Sequence, residues 1–388
     1  MASARLATPI CIEPGELRGG RKGLPEYKRR ANFPSPWEGG WWRLRDIVEY
    51  ELIATWALVE ATSQYRGELL TNFYRIGREA VEAGASEPPT AWIVTPDQHD
   101  PVAAGLLVEL LLEHGVLVYR AEEPITVGRT TYPSGTQVIP AAQPYRSFLL
   151  TMLRPQRYPE VVSYVGGPVI PPYDVTAWSL PILMGVEVVE AAAEISGDLS
   201  RLDEPVWPRV EVAEGGGGYL IPHRADSVYT AVNRLLKDGR RLYWWAEASG
   251  DDAPGDLYLP ADQIERDALE RLAGELHLPV RSLAQAPSGR ALELKATRIG
   301  LYKPWVASMD EGWTRWILEH YEFPCLSLSN DDLKENSFAR KVDVLLFPDV
   351  EKSIIAKGEP ASSQLQRFWS PRPPEYAGGI EPEGGGHI

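Results

Sequence analysis

Short apolar runs alternate with amphipathic stretches along most of the chain. From residue 91, a β-branched and aromatic run ends at a proline, a helix-like segment follows, and a second apolar run closes the unit; the same order recurs from residues 218, 256 and 298. Proline donates no hydrogen bond to a sheet and suits a strand end, and a following Asp, Ser or Asn can cap a helix. The pattern predicts βαβ units, and therefore an α/β fold of mainly parallel sheets with flanking helices.

The first part of the chain has a different pattern. Residues 5–12 predict a strand, and a loop rich in Gly and Arg follows it, GELRGGRKG at 15–23. Residues 41–84 carry apolar side chains at helical spacing and predict a long N-terminal helix, with Gly67 as the point where it could divide. Later, ITVGRTTYPSGTQVIP predicts a β-hairpin around its Pro-Ser-Gly.

Composition shifts suggest five segments. Residues 1–87 hold the strand, the basic loop and the long helix; residues 88–165 form an α/β unit with the hairpin; residues 166–217 are a linker and irregular region; residues 218–350 form a second α/β domain; and residues 351–388 are a disordered tail.

Charge and cysteine content limit the possible functions. The chain has 388 residues and a net charge of −15, which argues against nucleic acid as a partner because phosphate binding needs clustered Lys and Arg. No apolar run reaches the roughly 20 residues of a membrane helix, so no membrane span is expected, and the first residues lack a signal pattern. The two cysteines, Cys11 and Cys325, lie in apolar runs and are expected to be buried thiols.

Acidic residues follow one of the predicted strands, in the sequence SMDEGWTRWILEH. Ser308 or Asp310 can cap the helix that begins here, and acids suit the positive end of its dipole. Ligands of parallel α/β sheets bind at such strand ends, so Asp310 and Glu311 are also candidates to face a ligand. One face of this helix is expected to pack on the sheet: Trp313, Trp316 and Ile317.

The sequence DQHDP at 97–101 occupies an equivalent position. Asp97, His99 and Asp100 could contribute to a metal site, but a metal needs three or four converging ligands. Capping by Asp97 or Asp100, with Pro101 at the first helical position, explains the same residues without a metal. Asp97 and His99 remain candidates to face a ligand.

Known catalytic motifs are missing from the sequence. The loop at 15–23 could hold an anion through Arg18 and Arg21, but it fits neither GxxxxGK[ST] nor GxGxxG. The chain contains no GxSxG, and none of its histidines begins HExxH or HxxE. No catalytic residue and no metal ligand can therefore be assigned.

Several long stretches together resemble the C-terminal half of large bacterial M14-family zinc carboxypeptidase-like proteins. They are IEPGELRGGRKGLPEYKRRANFPSPWEGGWWRLRDIVEYEL, TPDQHDPVAAGLLVELLLEHGV, QPYRSFLLTMLRPQRYP, PYDVTAWSLPILMGVEV and GLYKPWVASMDEGWTRWILEHYEFP. In that family a zinc peptidase domain precedes a region that resembles class I glutamine amidotransferases. The resemblance implies that residues 1–87 are the end of a peptidase domain and that the later units are amidotransferase-like, with a flavodoxin-like fold.

The resemblance also implies what is missing. The family's zinc ligands, a His and Glu in HxxE with a distant His, and its catalytic Glu cannot be placed here, and MASARLATPI resembles the stretch just after that Glu. The chain is therefore expected to be a fragment. It is expected to bind no cofactor of its own, since zinc and the peptide substrate would belong to the full-length parent. Members of the family are commonly exported.

Three hypotheses for function follow. The first is an accessory, non-catalytic C-terminal part of an M14-like zinc metallocarboxypeptidase. The second is an independent amidotransferase-like or hydrolase enzyme that uses Cys325 or a loop acid. The third is a ligand-binding α/β module, with its ligand near the strand ends at Asp97, Asp310 and Asp349.

Overall fold

Mixed α/β structure accounts for the described part of the computed structural model. The described residues are 9–17, 27–31, 33–171, 177–246, 254–305, 308–334, 337–361 and 379–380. They contain ten α-helices and five small sheets, so the mixed α/β class is confirmed. Two units can be separated, with the division between Glu79 and Ala80.

The first unit consists of a β-ribbon and helices. Strands β1 (Ile10–Ile12) and β2 (Gly40–Trp42) pair antiparallel, and a 3₁₀ helix, Pro14–Glu16, follows β1. Helix α1 (Leu44–Gln64) and most of α2 (Arg66–Ser86) complete the unit.

The helical region differs from the prediction in its division. Where one long helix was expected, two helices of 21 residues follow each other, and they divide at Tyr65, not at Gly67. The backbone N–H of Arg43 donates to the Asp46 carboxylate at 2.7 Å, which closes the first turn of α1.

A first repeat occupies residues 91–201 of the second unit. Its elements are β3 (Ala91–Val94), α3 (Pro101–Glu113), β4 (Tyr119–Ala121), β5 (Ile125–Val127), β6 (Thr130–Tyr132), β7 (Gln137–Pro140), α4 (Arg146–Leu153), α5 (Leu180–Met184), β8 (Val189–Ala191), β9 (Ile195–Ser196) and β10 (Leu199–Arg201). Three of these strands come from the stretch expected to be a linker and irregular region.

A second repeat occupies residues 218–293. Its elements are β11 (Gly218–Ile221), α6 (Val228–Lys237), β12 (Tyr243–Trp245), β13 (Leu257–Leu259), a 3₁₀ helix at Ala261–Gln263, α7 (Arg266–Glu275), β14 (Arg281–Leu283) and β15 (Ala291–Glu293).

The main sheets of the two repeats have the same topology. One sheet has the order β10-β4-β7-β3-β8, and the other has β15-β12-β13-β11-β14, with every neighbouring pair antiparallel. In each, a helix links the first two strands in chain order, and the third strand lies between them. This is the split β-α-β-β-α-β arrangement of ferredoxin-like folds, with a fifth strand at one edge.

The prediction of mainly parallel sheets is therefore wrong for the repeats. The βαβ order was right, because β3 and β4 run in the same direction, as do β11 and β12. A later strand inserts between the members of each pair and reverses the local pairing. Among the described residues, only one sheet is parallel, and it lies after the second repeat.

The parallel sheet has the order β17-β16-β18. Its elements are β16 (Ile299–Tyr302), α8 (Met309–His320), β17 (Cys325–Leu328), α9 (Asn330–Lys334), a 3₁₀ helix at Ser337–Arg340 and β18 (Val344–Leu346). This is the βαβ unit predicted from residue 298. Helix α10 (Lys352–Lys357) follows, within the stretch expected to be a disordered tail.

The predicted hairpin turn lies at a different place. Strands β5 and β6 form the hairpin, and its two-residue turn is Gly128-Arg129, where Gly128 has a φ of 62°. The Pro-Ser-Gly sequence instead connects β6 to β7, which belong to different sheets. A glycine with positive φ suits the first position of a two-residue hairpin turn, so Gly128 and not the Pro-Ser-Gly sets the turn.

Strand β3 is buried on both faces and organises the core of the first repeat. Trp92 and Val94 pack with α3 and α4, while Ala91 and Ile93 face the small β6-β5-β9 sheet. The core of the second repeat includes Val102 from the first turn of α3, so the two repeats share apolar packing.

A buried tyrosine gives the parallel sheet a pH-dependent stability. Tyr302 is fully buried, and its hydroxyl donates to Asn330 Oδ1 at 2.6 Å. Burial raises the pKa of Tyr302 to about 12, whereas an unfolded tyrosine titrates near about 10. Because the folded pKa is the higher one, its contribution is complete below about pH 10 and is lost as the pH rises towards 12.

We expect the protein to lose up to about 2–3 kcal/mol of stability in that alkaline range through Tyr302. Tyr302→Phe should be less stable than wild type at neutral pH by about 1 kcal/mol and should show a flatter alkaline decline. Thermal midpoints followed from neutral pH to about pH 11.5 measure this. The half-exposed Tyr158, changed to Phe, is the control; equal alkaline slopes in all three proteins would contradict the assignment.

Candidate functional site

Two strand-to-helix loops meet where the repeats join. Residues 95–100 connect β3 to α3, and residues 222–227 connect β11 to α6. The two loops hold the same position in their repeats, each after the first strand. In the second repeat, β13 and β14 run antiparallel to β11, so their first residues lie at the same end of the sheet as the loop.

Asp100 links the two loops. Its Oδ1 accepts hydrogen bonds from the backbone N–H groups of Val102 at 2.9 Å and Ala103 at 3.1 Å, which caps α3. Its Oδ2 accepts from the backbone N–H of Asp226 at 3.2 Å. The residue is only 7% exposed. Capping by Asp100, with Pro101 at the first helical position, was one of the two predicted alternatives and is confirmed.

A cavity of about 370 Å³ lies beside these loops. It draws on both repeats, and its wall combines basic, apolar and hydrogen-bonding side chains. The lining residues are Gln98, His99, Pro101, Pro222, Arg224, Ala225, Asp256, Pro279, Val280 and Arg281.

The acidic residue of this wall already has a partner. Asp256 Oδ1 lies 2.9 Å from His223 Nδ1 and accepts from the His223 backbone N–H at 3.1 Å. The Asp256 side chain is almost completely buried. Its carboxylate therefore fixes the loop after β11, and part of its charge is compensated inside the protein.

Gln98 fixes the loop of the first repeat, residues 95–100. Its Nε2 donates to the carbonyl oxygen of Glu187 at 3.0 Å, and its Oε1 accepts from the Glu187 N–H at 2.8 Å. This amide pairs with backbone as a strand would, so the cavity wall from the first repeat is held in place.

Asp226, in the loop after β11, and Tyr321, which follows α8, perturb each other's pKa. Burial, and then the negative charge of Asp100, raise the pKa of Asp226, while a hydrogen bond from Tyr321 lowers it. Burial, followed by the charges of Asp226 and Asp100, raises the pKa of Tyr321. The Tyr321 phenol therefore stays protonated at neutral pH and remains a hydrogen-bond donor.

The structure separates the residues predicted to face a ligand. His99 lines the cavity, whereas Asp97 is exposed in the same loop and is not part of the lining. Asp310 and Glu311 lie in the first turn of α8. Arg18 and Arg21 lie outside the described residues.

Glu311 has a role within its helix. It is 5% exposed, its Oε1 accepts from Arg315 Nε at 2.9 Å, and its backbone N–H donates to Ser308 Oγ at 3.2 Å. Ser308 is thus the cap, one of the two predicted alternatives. Asp310 is exposed beside it.

The predicted packing of α8 on the sheet is wrong for its aromatic face. Trp313 is 63% exposed, and Trp316 and Ile317 are also exposed. Trp316 stacks on His320 instead, with ring centroids 5.2 Å apart. The buried side of this helix includes Glu311, which forms an ion pair with Arg315, so the apolar stripe faces outwards.

The two cysteines also differ from expectation. Cys11 is exposed, contrary to the prediction that it is buried, because β1 belongs to a two-stranded ribbon with little cover. Cys325 is partly buried at the start of β17. Burial, and then the charge of Glu319, raise the pKa of the Cys325 thiol, which disfavours the reactive thiolate.

Within the described ranges, no three His, Cys, Asp or Glu side chains lie together as a possible metal site. None of the helices in the described part of the chain is long and apolar enough to cross a membrane.

A second cavity, of about 390 Å³, lies in the first unit. Its wall is mainly aromatic and aliphatic and includes one acid, Glu51. The lining residues are Ile12, Leu17, Tyr27, Phe33, Ser35, Trp37, Trp42, Ile47, Tyr50 and Glu51.

Sequence reasoning missed most of the cavity between the repeats. Arg224, Asp256 and Arg281 were not singled out, although the strand-proline-loop-helix pattern of TPDQHDP recurs as IPHRADS in the second repeat. That recurrence was the available signal, because equivalent loops of two repeats can meet. Comparison with known proteins gives no match among family models, curated proteins or solved structures.

Proposed function

We propose that this chain is an accessory, non-catalytic part of an M14-like zinc metallocarboxypeptidase. In this proposal, the parent protein's peptidase domain binds zinc and hydrolyses peptides, and the present chain supports it. The proposal starts from the sequence resemblance described above, in which residues 1–87 correspond to the end of the peptidase domain. One structural observation supports it, namely the uncovered apolar surface of the first unit.

This surface, which we call the α1–α2 face, lies on helices α1 and α2. Phe73 is 79% exposed and Trp56 is 66% exposed, and neighbouring apolar side chains are similarly open to solvent. The other members are Ile53, Leu58, Leu70 and Tyr74. Large apolar side chains left exposed on two consecutive helices often mark a contact with another protein surface. The remainder of a peptidase domain is the occupant that the resemblance suggests.

The same proposal fits the uneven burial of α1, which is covered at its first turns and exposed further along. Its first turns contribute Ile47 and Tyr50 to the cavity of the first unit, so this side has a partner within the chain. Residues further along, such as Trp56, have none of that cover. A helix that packs at one end and is exposed along the rest is expected for a piece of a larger core.

The purified chain, supplied with stoichiometric zinc, is expected to release no C-terminal amino acid from blocked peptides. It is also expected to bind a hydrophobic fluorescent dye, and Trp56→Lys combined with Phe73→Lys should remove most of that signal. Both measurements use the chain alone, the first by amino-acid analysis and the second by fluorescence titration.

Gln64→Lys provides the matched control for dye binding, because it adds a charge to an exposed position of α1 without removing apolar surface. Steady release of C-terminal residues with one bound zinc would refute the proposal. Equal dye binding by wild type and the double variant would show that the α1–α2 face is not the exposed docking surface.

A further inference from the structure

The cavity between the two repeats has no role in the proposed function. We propose that it binds a small organic anion, a carboxylate or phosphate monoester with a short apolar body. Arg224 and Arg281 would hold the charged group, and His99 also lines the cavity. At about 370 Å³ the cavity is near the lower end of the usual range for small-molecule sites, so the ligand is small.

The charge distribution favours an anion. Two guanidinium groups and an imidazole line the cavity, while its one acid, Asp256, is hydrogen-bonded to His223 at 2.9 Å. Arg281 and Asp256 each make a further interaction within the protein, so Arg224 is the main anchor for an anion. Arg224 forms no ion pair with any of the residues that the structure describes. In a chain with a net charge of −15, such a basic cavity is a local exception. Guanidinium groups match the geometry of carboxylates and phosphates.

Helix ends add little to this charge. The cavity borders the start of α3, but Asp100 already occupies the first backbone N–H groups of that helix and contributes a negative charge of its own. The affinity for an anion must therefore come mainly from the arginines, which makes the proposal testable by substitution.

The remaining wall suits an apolar body. Pro101, Pro222, Pro279 and Val280 line the cavity together with Ala225. Prolines have few accessible conformations, and Gln98 and Asp256 hold their loops by backbone hydrogen bonds. A wall that is already fixed loses little conformational entropy when a ligand binds.

Calorimetric titration of the full chain with phenyl phosphate, benzoate, inorganic phosphate and benzyl alcohol tests the proposal. We expect phenyl phosphate or benzoate to bind with a Kd of about 1 mM or lower, and benzyl alcohol to bind far more weakly. The two anions distinguish a phosphate from a carboxylate ligand, and inorganic phosphate shows whether the apolar body contributes.

Arg224→Gln is expected to weaken anion binding by about tenfold, and Arg281→Gln by a smaller factor. Arg271→Gln removes the same charge from an exposed position of α7 that does not line the cavity, and it should leave the Kd unchanged. Thermal midpoints of each variant identify any loss of folding. Absence of binding by all three anions, or equal weakening by Arg271→Gln and Arg224→Gln, would overturn the proposal.

Discussion

Gly84→Ala is expected to destabilise the second unit by about 3 kcal/mol. A Cβ atom built on Gly84 would lie 2.1 Å from the carbonyl oxygen of Ala141 and 2.5 Å from the backbone nitrogen of Ala142. Both are main-chain atoms at the end of β7, so they cannot move aside as a flexible side chain would. The last turns of α2 can approach this strand only because residue 84 has no side chain.

Gly312→Ala is the matched control, because nothing lies within 4 Å of its built Cβ in the interior of α8. That substitution should raise stability by up to about 1 kcal/mol, since alanine favours a helix over glycine. Urea titrations followed by far-ultraviolet circular dichroism compare the two. If Gly84→Ala unfolds at the same urea concentration as wild type, α2 does not pack on β7 as described.

Asp100→Ala should cost about 2–3 kcal/mol, because it removes a helix cap and leaves a third backbone N–H without its acceptor. The carboxylate accepts hydrogen bonds from the backbone N–H groups of Val102, Ala103 and Asp226, and at 7% exposure water has little access to take its place. Faster amide hydrogen exchange should appear at all three of these N–H groups, which belong to different repeats.

Asp97→Ala, in the same loop, is the control and should change stability by less than about 0.5 kcal/mol, because Asp97 is exposed and does not cap α3. Asp100→Asn should fall between the two, since its amide oxygen can still cap the helix. If Asp100→Ala affected exchange only in α3, the hydrogen bond to Asp226 would make no contribution to the junction of the repeats.

Local structure was largely predictable from the sequence, whereas strand pairing was not. The pattern at 91–120 predicted β3, α3 and β4 in order, because apolar periodicity, a proline and a capping acid are local signals. It could not show that β7, which follows β4 by sixteen residues, inserts between β3 and β4. Pairing depends on contacts between residues that are distant in the chain, and a parallel sheet was the wrong inference from the right elements.

Only the part of the candidate site contributed by the first repeat was predictable from the sequence. DQHDP was recognised from its position after a strand, and His99 does line the cavity. Arg281 was missed because it begins an edge strand and belongs to no motif. Its place in the same cavity wall as His99 depends on how the second repeat packs on the first, through residues such as Val102, and no local pattern contains that information.

The inserted strands affect the order in which a ribosome can build this protein. When β4 has been synthesised, it cannot pair with β3, because β7 lies between these two strands in the folded sheet. The edge strand β10 is synthesised later still. The nascent chain must therefore keep an incomplete apolar sheet until about residue 201 has emerged, and the same delay recurs up to residue 293. Slow translation before these points would prolong the exposure of unpaired strand edges, which favours aggregation during synthesis.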